Sequence, residues 1–543
     1  MNLTGGEAIV QSLIALDVNT IFGLPGVQND GLFNALHDSK DKIRVIHTRH
    51  EQGAAYMAMG YALSLDKPGV YCVVPGPGFL NTTAALSTAY ATNAKVLCLT
   101  GQIPSSAIGC NIGLLHEIPD QLGMMQRLTK WAARINTPEE APQLLTAAFS
   151  QLLSGRPRPV GLEVPMDVLT KRGEIDLTLV EPETETPPLD LEAINQAAKL
   201  LGKANNPMIF VGGGAINAGE AVQALAETLQ APVFSGRNGR GVFSNRHYLS
   251  MVVEDGYDMW AEADVVVGIG SRMYRPLSRW GLDDEIKIIR IDIDPEAHNT
   301  VAPPAVGIIA DSQEAVTALI SALGKYNRKR PSRRDEMLAH KAAMAEKYAQ
   351  LEPQLSFVKA IQDELPEDGL FVDEVTQIGF AARFMLPVYH PGSYISTGYQ
   401  GTLGFGYPTA LGVKVAHPDK PILSVSGDGG FMFNVQELAT AVQHQISLVT
   451  LVFNDGAFGN VRRMQKEDYN GRFIASDLHN PDFVKMAHAF GAQGLRAKTP
   501  NDLRRAIRQG FTEKGPTLIE IPVGEMPSPW PIAYPPPNRG KGS

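Results

Sequence analysis

Two short stretches of the chain, Gly427-Asp428-Gly429-Gly430 and Asn454-Asp455, set oxygen-bearing side chains beside bare backbone. The apolar run Ile422 to Ser426 leads into the first, and the apolar run "LVTLVF" leads into the second. Both therefore fall at carboxyl ends of strands, where open α/β sheets bind ligands. Between them Asn434 and Glu437 form a helix-start signature, and Val435, Leu438, Ala439 and Val442 keep one apolar face. The segment reads strand, turn, helix, strand, so the crossover returns Asp428 and Asp455 to one edge of the sheet. Gly427, Gly429 and Gly430 allow backbone N–H groups to approach an anion closely. Carboxylate oxygens beside bare amides are what a diphosphate bridged to Mg²⁺ requires, since Mg²⁺ is held by oxygens and shares phosphate oxygens and water. An isolated Gly-Asp-Gly is usually a plain turn. The flanking strands and the second oxygen-bearing pair favour the ligand site.

The elements that must position these groups recur three times. Residues 1–172 alternate helices with the apolar strands "NTIFGLPG", "KIRVIHTRHEQ", "GVYCVVPGPG", "AKVLCLTGQ" and "PVGLEVPMD". An acidic, Pro/Thr-rich linker spans 173–190. Residues 190–328 repeat the pattern with "NPMIFVGGGAINAG", "APVFSGRNGRGVF", "ADVVVGIGSRM", "IKIIRIDID" and "AVGIIAD", and a charged helix over about 325–350 closes this unit. Residues 351–543 supply "GLFVDEV", "SYISTG", "ILSVSGDGG", "LVTLVFND" and "TLIEIPV", then a proline-rich, extended tail from Met526. Strands alternating with helices imply parallel βα units. The fold class is α/β, with three doubly wound parallel-sheet domains.

Composition agrees: 543 residues, 44% apolar and 19% charged, too long for one core. The net charge of −9 without a long basic run argues against nucleic acid or an anionic membrane as partner. No apolar stretch is long enough to span a membrane. Thr4 and Glu7 have capping-box spacing, so the N-terminus reads as a capped helix rather than a signal peptide, and a cytoplasmic location is expected. Cys72 and Cys98 sit inside apolar strands and read as packing residues; with Cys110 they form neither a metal cluster nor a disulfide framework.

A Gly-Asp-Gly turn followed, one crossover later, by an Asn-containing pair is the fingerprint of thiamine diphosphate-dependent enzymes. The chain resembles their acetolactate synthase-like branch along nearly its whole length: "FGLPG", "RHEQGAAYMAMGYA", "GPGFLN", "LTGQIPS", "IDIDP", "GTLGFGYPTALG" and "GDGGFMFNVQELATAVQ" stand in the expected order. The resemblance implies pyrimidine-binding, middle and diphosphate-binding domains. It implies that Asp428 and Asp455 ligate Mg²⁺ through their side chains and Ala457 through its carbonyl, with Gly456, Phe458 and Gly459 shaping the cofactor site. Asp455 stands where the family most often has asparagine; oxygen ligation survives, and the added charge changes metal affinity. Glu51 matches the glutamate that hydrogen-bonds the aminopyrimidine ring and favours the imino tautomer that takes the C2 proton. In the family that glutamate and the diphosphate site come from different subunits, so a homodimer or homotetramer is implied. Leu403 matches the bulky residue that bends the cofactor, and Gly401 the carbonyl that meets its 4′-amino group, a case of enforced proximity. Thr376 and Gln377 are candidates for phosphate contacts.

The reaction centre is then lined by the first domain. Pro25, Gly26 and Val27 follow strand one, Phe79 and Asn81 follow "GPG", and Gln102 follows "LCLTG". Leu115-His116-Glu117 replaces the usual Phe-Gln-Glu of acetolactate synthases. His116 is the local candidate for proton transfer, with Gln102 beside it, because imidazole changes charge near neutral pH. Asn460, Val461 and Met464 match the substrate pocket, with Met464 in place of a tryptophan that acetolactate synthases usually carry. At least one of Arg462 and Arg463 reads as solvated. Relatives bind FAD, ADP or nothing in the middle domain. "VGGGAINAG" is not the dinucleotide fingerprint and the run after "VVVGIGSRM" lacks the FAD-type pattern, so FAD is not favoured and a vestigial site is expected.

The resemblance implies an enzyme that breaks or forms the C–C bond beside the carbonyl of a 2-oxo acid or 2-hydroxyketone, as a carboligase or lyase. A non-oxidative 2-oxo acid decarboxylase is the alternative. An FAD-linked oxidase and a non-catalytic cofactor-binding homologue are rivals of another kind; intact Glu51, Asp428 and Leu403 argue against the latter.

Overall fold

A computed structural model describes residues 1–178 and 181–540. The linker reading at residues 179–180 and the last residues of the tail, 541–543, lie outside the described residues. Three six-stranded sheets follow one another along the chain, and every pairing within them is parallel. Their central strands, such as Gly69–Val73, Val265–Ile269 and Val449–Asn454, are apolar runs buried almost from end to end, as strands covered by helices on both faces must be.

Each sheet adds one strand beyond those read from the sequence: Trp131–Arg134, Ser250–Val252 and Gln493–Arg496. All three are edge strands. An edge strand is short, and two of these three are half-covered, so they lack the apolar run that marks a central one. The expected linker also begins later than read, because Arg172–Glu174 pairs antiparallel with Asn2–Thr4. The Thr4–Glu7 capping box is formed. The charged helix spans Arg334–Tyr348. The tail is not simply extended: it carries the short helix Trp530–Ala533 and then returns to the middle domain, where Tyr257 Oη donates to the Pro536 carbonyl at 2.7 Å.

Sheet order decides where a site can lie. In the first sheet the chain steps from Thr20–Gly23 to Arg44–His47 on one side, then to Gly69–Val73 on the other. In the third it steps from Leu370–Val372 to Tyr394–Ile395, then to Ile422–Gly427 on the opposite side. These reversals open crevices at the carboxyl ends of the strands. The turns after Gly23 and Val73 flank the first crevice. Glu374 to Gln377 and Asp428 flank the third.

The first and third domains pack through helices Glu51–Leu65 and Gly406–Ala416. A Cβ on Gly60 would lie 2.1 Å from the Thr409 carbonyl oxygen, and one on Gly412 would lie 2.0 Å from that of Met57. Backbone meets backbone there, so the helix that carries Glu51 is seated rigidly on the third domain.

Candidate active site

The Gly-Asp-Gly turn opens a short helix, Asp428–Met432, and the crossover helix proper runs Glu437–Gln443. The single helix start read at Asn434 is therefore a break between two helices. Asn434 caps neither, because its side chain bonds elsewhere. Asp428 and Asp455 do face one another, as their adjacent parallel strands Ile422–Gly427 and Val449–Asn454 require. Asp428 Oδ2 accepts the Gly456 N–H at 3.0 Å and the Asn480 Nδ2–H at 2.6 Å. Asp455 Oδ1 accepts the Ala457 N–H at 3.2 Å. Burial raises the Asp428 carboxyl above its ordinary range; burial, then the charge of Asp428, pushes Asp455 up to about 6. Two carboxylates that oppose each other's ionisation form a site that a divalent cation relieves.

The rest of the donor set fits such an ion. No hydrogen bond among the described residues uses the Ala457 carbonyl oxygen, which remains free to ligate. A Cβ on Gly459 would lie 2.4 Å from Asp455 Oδ2, so only glycine leaves that oxygen clear. Gly456 takes φ +70°, which turns its N–H onto Asp428. The donors are all oxygen, the preference of a hard cation that completes its shell with phosphate and water. Among the described residues no cluster of three or more His, Cys, Asp or Glu is placed to hold a metal. Asn454 of the pair is not available: it donates to Glu520 Oε1 at 2.9 Å and accepts from Asn480 at 3.0 Å.

Two of the glycines have a packing reason beside the one expected. A Cβ on Gly429 would strike the Phe458 ring at 2.6 Å, and one on Gly430 would strike Glu374 Oε1 at 2.4 Å. Packing requires them small, and Phe458 is a wall of that packing. Gly427 lies against Thr376, the residue that precedes the helix Gln377–Met385 across the crevice. Gln377 Oε1 accepts from Arg463 Nη2 at 3.2 Å. Arg463 is buried, whereas Arg462 lies at the surface in a solvent-exposed pair with Asp477 at 2.7 Å, so one of the two arginines is solvated as expected. Beside this crevice Gly401 adopts φ +61° and Leu403 is half-buried. The turn is held from beneath by Glu374, whose Oε1 accepts the Gly404 N–H at 2.5 Å. Glu374 is wholly buried, Oε2 has no partner among the described residues, and burial pushes its carboxyl up to about 7.

The first-domain half is built around Glu51, the first residue of its helix, where the helix dipole favours a carboxylate. Glu51 Oε2 accepts the Asn81 Nδ2–H at 3.0 Å. Asn81, expected at the cofactor site, bonds and orients the acid. Pro25, Gly26 and Val27 form the neighbouring turn, closed by Asn29 Oδ1, which accepts the Gly26 N–H at 2.7 Å. His116 takes φ +69°, a strained backbone for a residue with a side chain. It is held there by Gln28, whose Nε2 donates to the Leu115 carbonyl at 2.9 Å while Oε1 lies 3.0 Å from His116 Nδ1. With Oε1 as acceptor the proton sits on Nδ1, and neutral His116 keeps Nε2 as a free acceptor.

Two expected site residues are not in the site. Gln102 is 4% exposed and donates to Glu163 Oε2 at 3.1 Å, while its own oxygen accepts the Ile103 N–H. Both ends are engaged and the side chain is buried, so it is not presented to the crevice. Phe79 is fully buried in the core with Tyr56 and Tyr71, and cannot line a pocket. Asn460 Oδ1 accepts from Trp530 Nε1 at 2.9 Å, which makes it an anchor for the tail. Val461, Met464 and Leu115 are exposed. Gln28, Asn480, Glu374 and Gln121 were missed. Gln121 Oε1 accepts the Gly76 N–H and its Nε2 donates to Glu163, pinning the "GPG" turn. Gln28, Asn480 and Glu374 lie on loops, where periodicity gives no signal, and Gln121 opens the helix Gln121–Leu128.

The middle domain does not close over its glycine turn. A cavity of about 610 Å³ lies between all three domains, lined by Gly212 to Gly214, Arg156, Arg237, Arg272 and Tyr399.

Two half-sites at sheet reversals, one metal-compatible and one carrying an oriented acid, define a cofactor-dependent α/β enzyme. Comparison with known proteins specifies the class. Family models for the thiamine pyrophosphate enzyme match in chain order: the N-terminal TPP binding domain over residues 3–124, the central domain over 194–319 and the C-terminal TPP binding domain over 374–521. The chain is 36% identical to a probable 2-ketoarginine decarboxylase, AruI, of Pseudomonas aeruginosa over 533 residues, 96% of this chain and 94% of that one. It is 33% identical to a probable acetolactate synthase large subunit of Methanocaldococcus jannaschii over 557 residues, 96% and 92% of the two chains. It is 31% identical to the acetolactate synthase isozyme 2 large subunit of Escherichia coli K12 over 561 residues, 98% of each. The chain belongs to the thiamine pyrophosphate enzyme family, in its acetolactate synthase-like branch, and is a thiamine diphosphate-dependent enzyme of the transferase or lyase type.

Proposed function

We propose that the enzyme breaks or forms the C–C bond beside the carbonyl of a 2-oxo acid or 2-hydroxyketone, with thiamine diphosphate and Mg²⁺, as a carboligase or lyase. The observation that carries this reading is the facing pair Asp428 and Asp455 beside the free Ala457 carbonyl, at a sheet reversal in the matched C-terminal domain. These three groups hold the metal, and Thr376 and Gln377 bind across the crevice from it. Thiamine diphosphate, when bound, supplies a carbon nucleophile for the substrate carbonyl and an electron sink for the bond that breaks. Glu51, oriented by Asn81, holds and returns a proton at the aminopyrimidine nitrogen. His116, with Nδ1 engaged by Gln28, exchanges a proton with the reacting carbonyl or carboxylate through Nε2.

The active unit is a homodimer or homotetramer, with Glu51 and the Asp428 site of each cofactor coming from two chains. Exposed apolar side chains support this. Val27 and Leu115 rim the Glu51 half, while Phe433, Val461, Met464 and Ile474 rim the metal half. Among the described residues no helix is long and apolar enough to cross a membrane; a cytoplasmic enzyme is the reading.

Simple 2-oxo acid decarboxylation is the second reading. It is favoured by the relative named as a decarboxylase and by Met464, which departs from the synthase pattern. A panel of 2-oxo acids and 2-hydroxyketones, supplied with thiamine diphosphate and Mg²⁺ and followed by mass spectrometry, separates the two. Joined products identify a carboligase, and carbon dioxide with free aldehyde identifies a decarboxylase. No turnover of any 2-oxo acid or 2-hydroxyketone would sink both.

A further inference from the structure

Glu437 begins the crossover helix of the third domain, but its carboxylate serves the first. Oε1 accepts the His50 N–H at 3.0 Å and Oε2 accepts the Arg49 N–H at 3.1 Å. These are the two amides immediately before Glu51. Thr440 Oγ1 donates to Oε2 at 2.6 Å and fixes the rotamer. A Cβ on Gly53 would come within 2.5 Å of Oε1, so the first turn of the Glu51 helix rests on this carboxylate. Glu437 is fully buried, and a negative group suits the amide end of a helix. A second contact runs beside it. Buried Asn434 donates to the Gly404 carbonyl at 2.7 Å and to Gln52 Oε1 at 3.2 Å. One short segment therefore continues from the Asp428 helix, supports the turn that carries Leu403, and seats the helix that carries Glu51. All of these contacts lie within one chain.

We propose that Glu437, assisted by Asn434, is a positioning residue that ties the metal half of one active site to the Glu51 that serves the other. The inference rests on the two-chain site proposed above: the strut is internal to a protomer, whereas its two ends belong to different cofactors.

Hybrid dimers with one live site test it. One protomer carries Asp428→Ala, so only the site built from its own Glu51 and its partner's intact metal half remains. Glu437→Gln is then placed on either protomer; glutamine keeps one acceptor but sets an N–H against a backbone N–H. Placed on the protomer that supplies the working Glu51, it should lower kcat about 10–100-fold, the scale of a small misplacement of a reacting group. Placed on the protomer that supplies the working metal half, it should leave kcat within about twofold of the control hybrid. Equal loss in both placements, or loss in neither, overturns the proposal. Amide hydrogen exchange of the full-length dimer gives a readout independent of turnover. Arg49 and His50 should exchange at least about tenfold faster in Glu437→Gln, and unchanged exchange overturns the contact. Loss only in the second placement would put the working Glu51 and the working metal half on one chain, and would sink the two-chain site instead. If Glu437→Gln does not assemble, Thr440→Val, which removes the donor that fixes the Glu437 rotamer, goes through the same two placements: loss confined to the Glu51-supplying protomer supports the strut, and equal loss in both placements or loss in neither overturns it.

Discussion

Replacing Glu374 by glutamine should stabilise the protein at alkaline pH and do nothing at acidic pH. Glu374 is wholly buried beneath the Leu403 turn, with one oxygen on the Gly404 N–H and the other unpartnered among the described residues. Burial moves its carboxyl from an ordinary 4.5 to about 7. The folded state thus holds this proton more tightly than the unfolded chain does. Stability from the group is complete below about pH 4.5, falls as the unfolded chain alone releases the proton, and is lost by about pH 7. At about 1.4 kcal/mol for each tenfold, the loss at pH 8 is about 3 kcal/mol. Glutamine keeps the acceptor for Gly404 and never ionises, so Glu374→Gln escapes that loss. For a domain of this size the gain is about 6–12 °C in Tm at pH 8, and near zero at pH 4.5. The assay is calorimetry of the cofactor-free protein and its variant across that pH range. A shift of equal size at both ends, or destabilisation at pH 8, would refute a buried, proton-holding Glu374.

Three further outcomes are expected. Glu51→Gln should keep the fold and lose about 10²–10⁴ of kcat, with C2 proton exchange of bound thiamine diphosphate slowed in parallel; exchange at the wild-type rate would remove Glu51 from that role. Asn81→Ala leaves the acid but frees its orientation, so a loss of about 10–150-fold is expected, equivalent to one charged hydrogen bond, and Asn81→Asp should not restore it. His116→Gln should slow turnover while C2 exchange stays normal, whereas an unchanged rate would return His116 to a loop residue near the site.

The central strands and both half-sites were legible because their signals are local. An apolar run ending in Gly-Asp-Gly, and a carboxylate opening a glycine- and alanine-rich helix, can each be read within a dozen residues or so. Edge strands such as Gln493–Arg496 escaped because they are short and only half-covered. Gln102 and Phe79 were misplaced for another reason: motif order puts a residue near a site but not the direction of its side chain. The Gln102 amide turns inward because Glu163, buried on the neighbouring strand, needs donors from Gln102, Gln121 and Arg134. Long-range satisfaction of a buried charge cannot be read from spacing. Glu437 shows the same limit, since nothing near it in sequence indicates that it would reach Arg49 and His50.

A metal-bridged diphosphate at Asp428 and Asp455 is the claim on which the proposed chemistry depends. Isothermal titration of thiamine diphosphate into the dialysed full-length protein, with Mg²⁺ and again with EDTA, measures that directly. Saturable binding is expected with Mg²⁺, abolished by EDTA and abolished in Asp428→Ala, while Glu51→Gln still binds. Equal affinity with EDTA, or undiminished binding in Asp428→Ala, would contradict the assignment of this crevice.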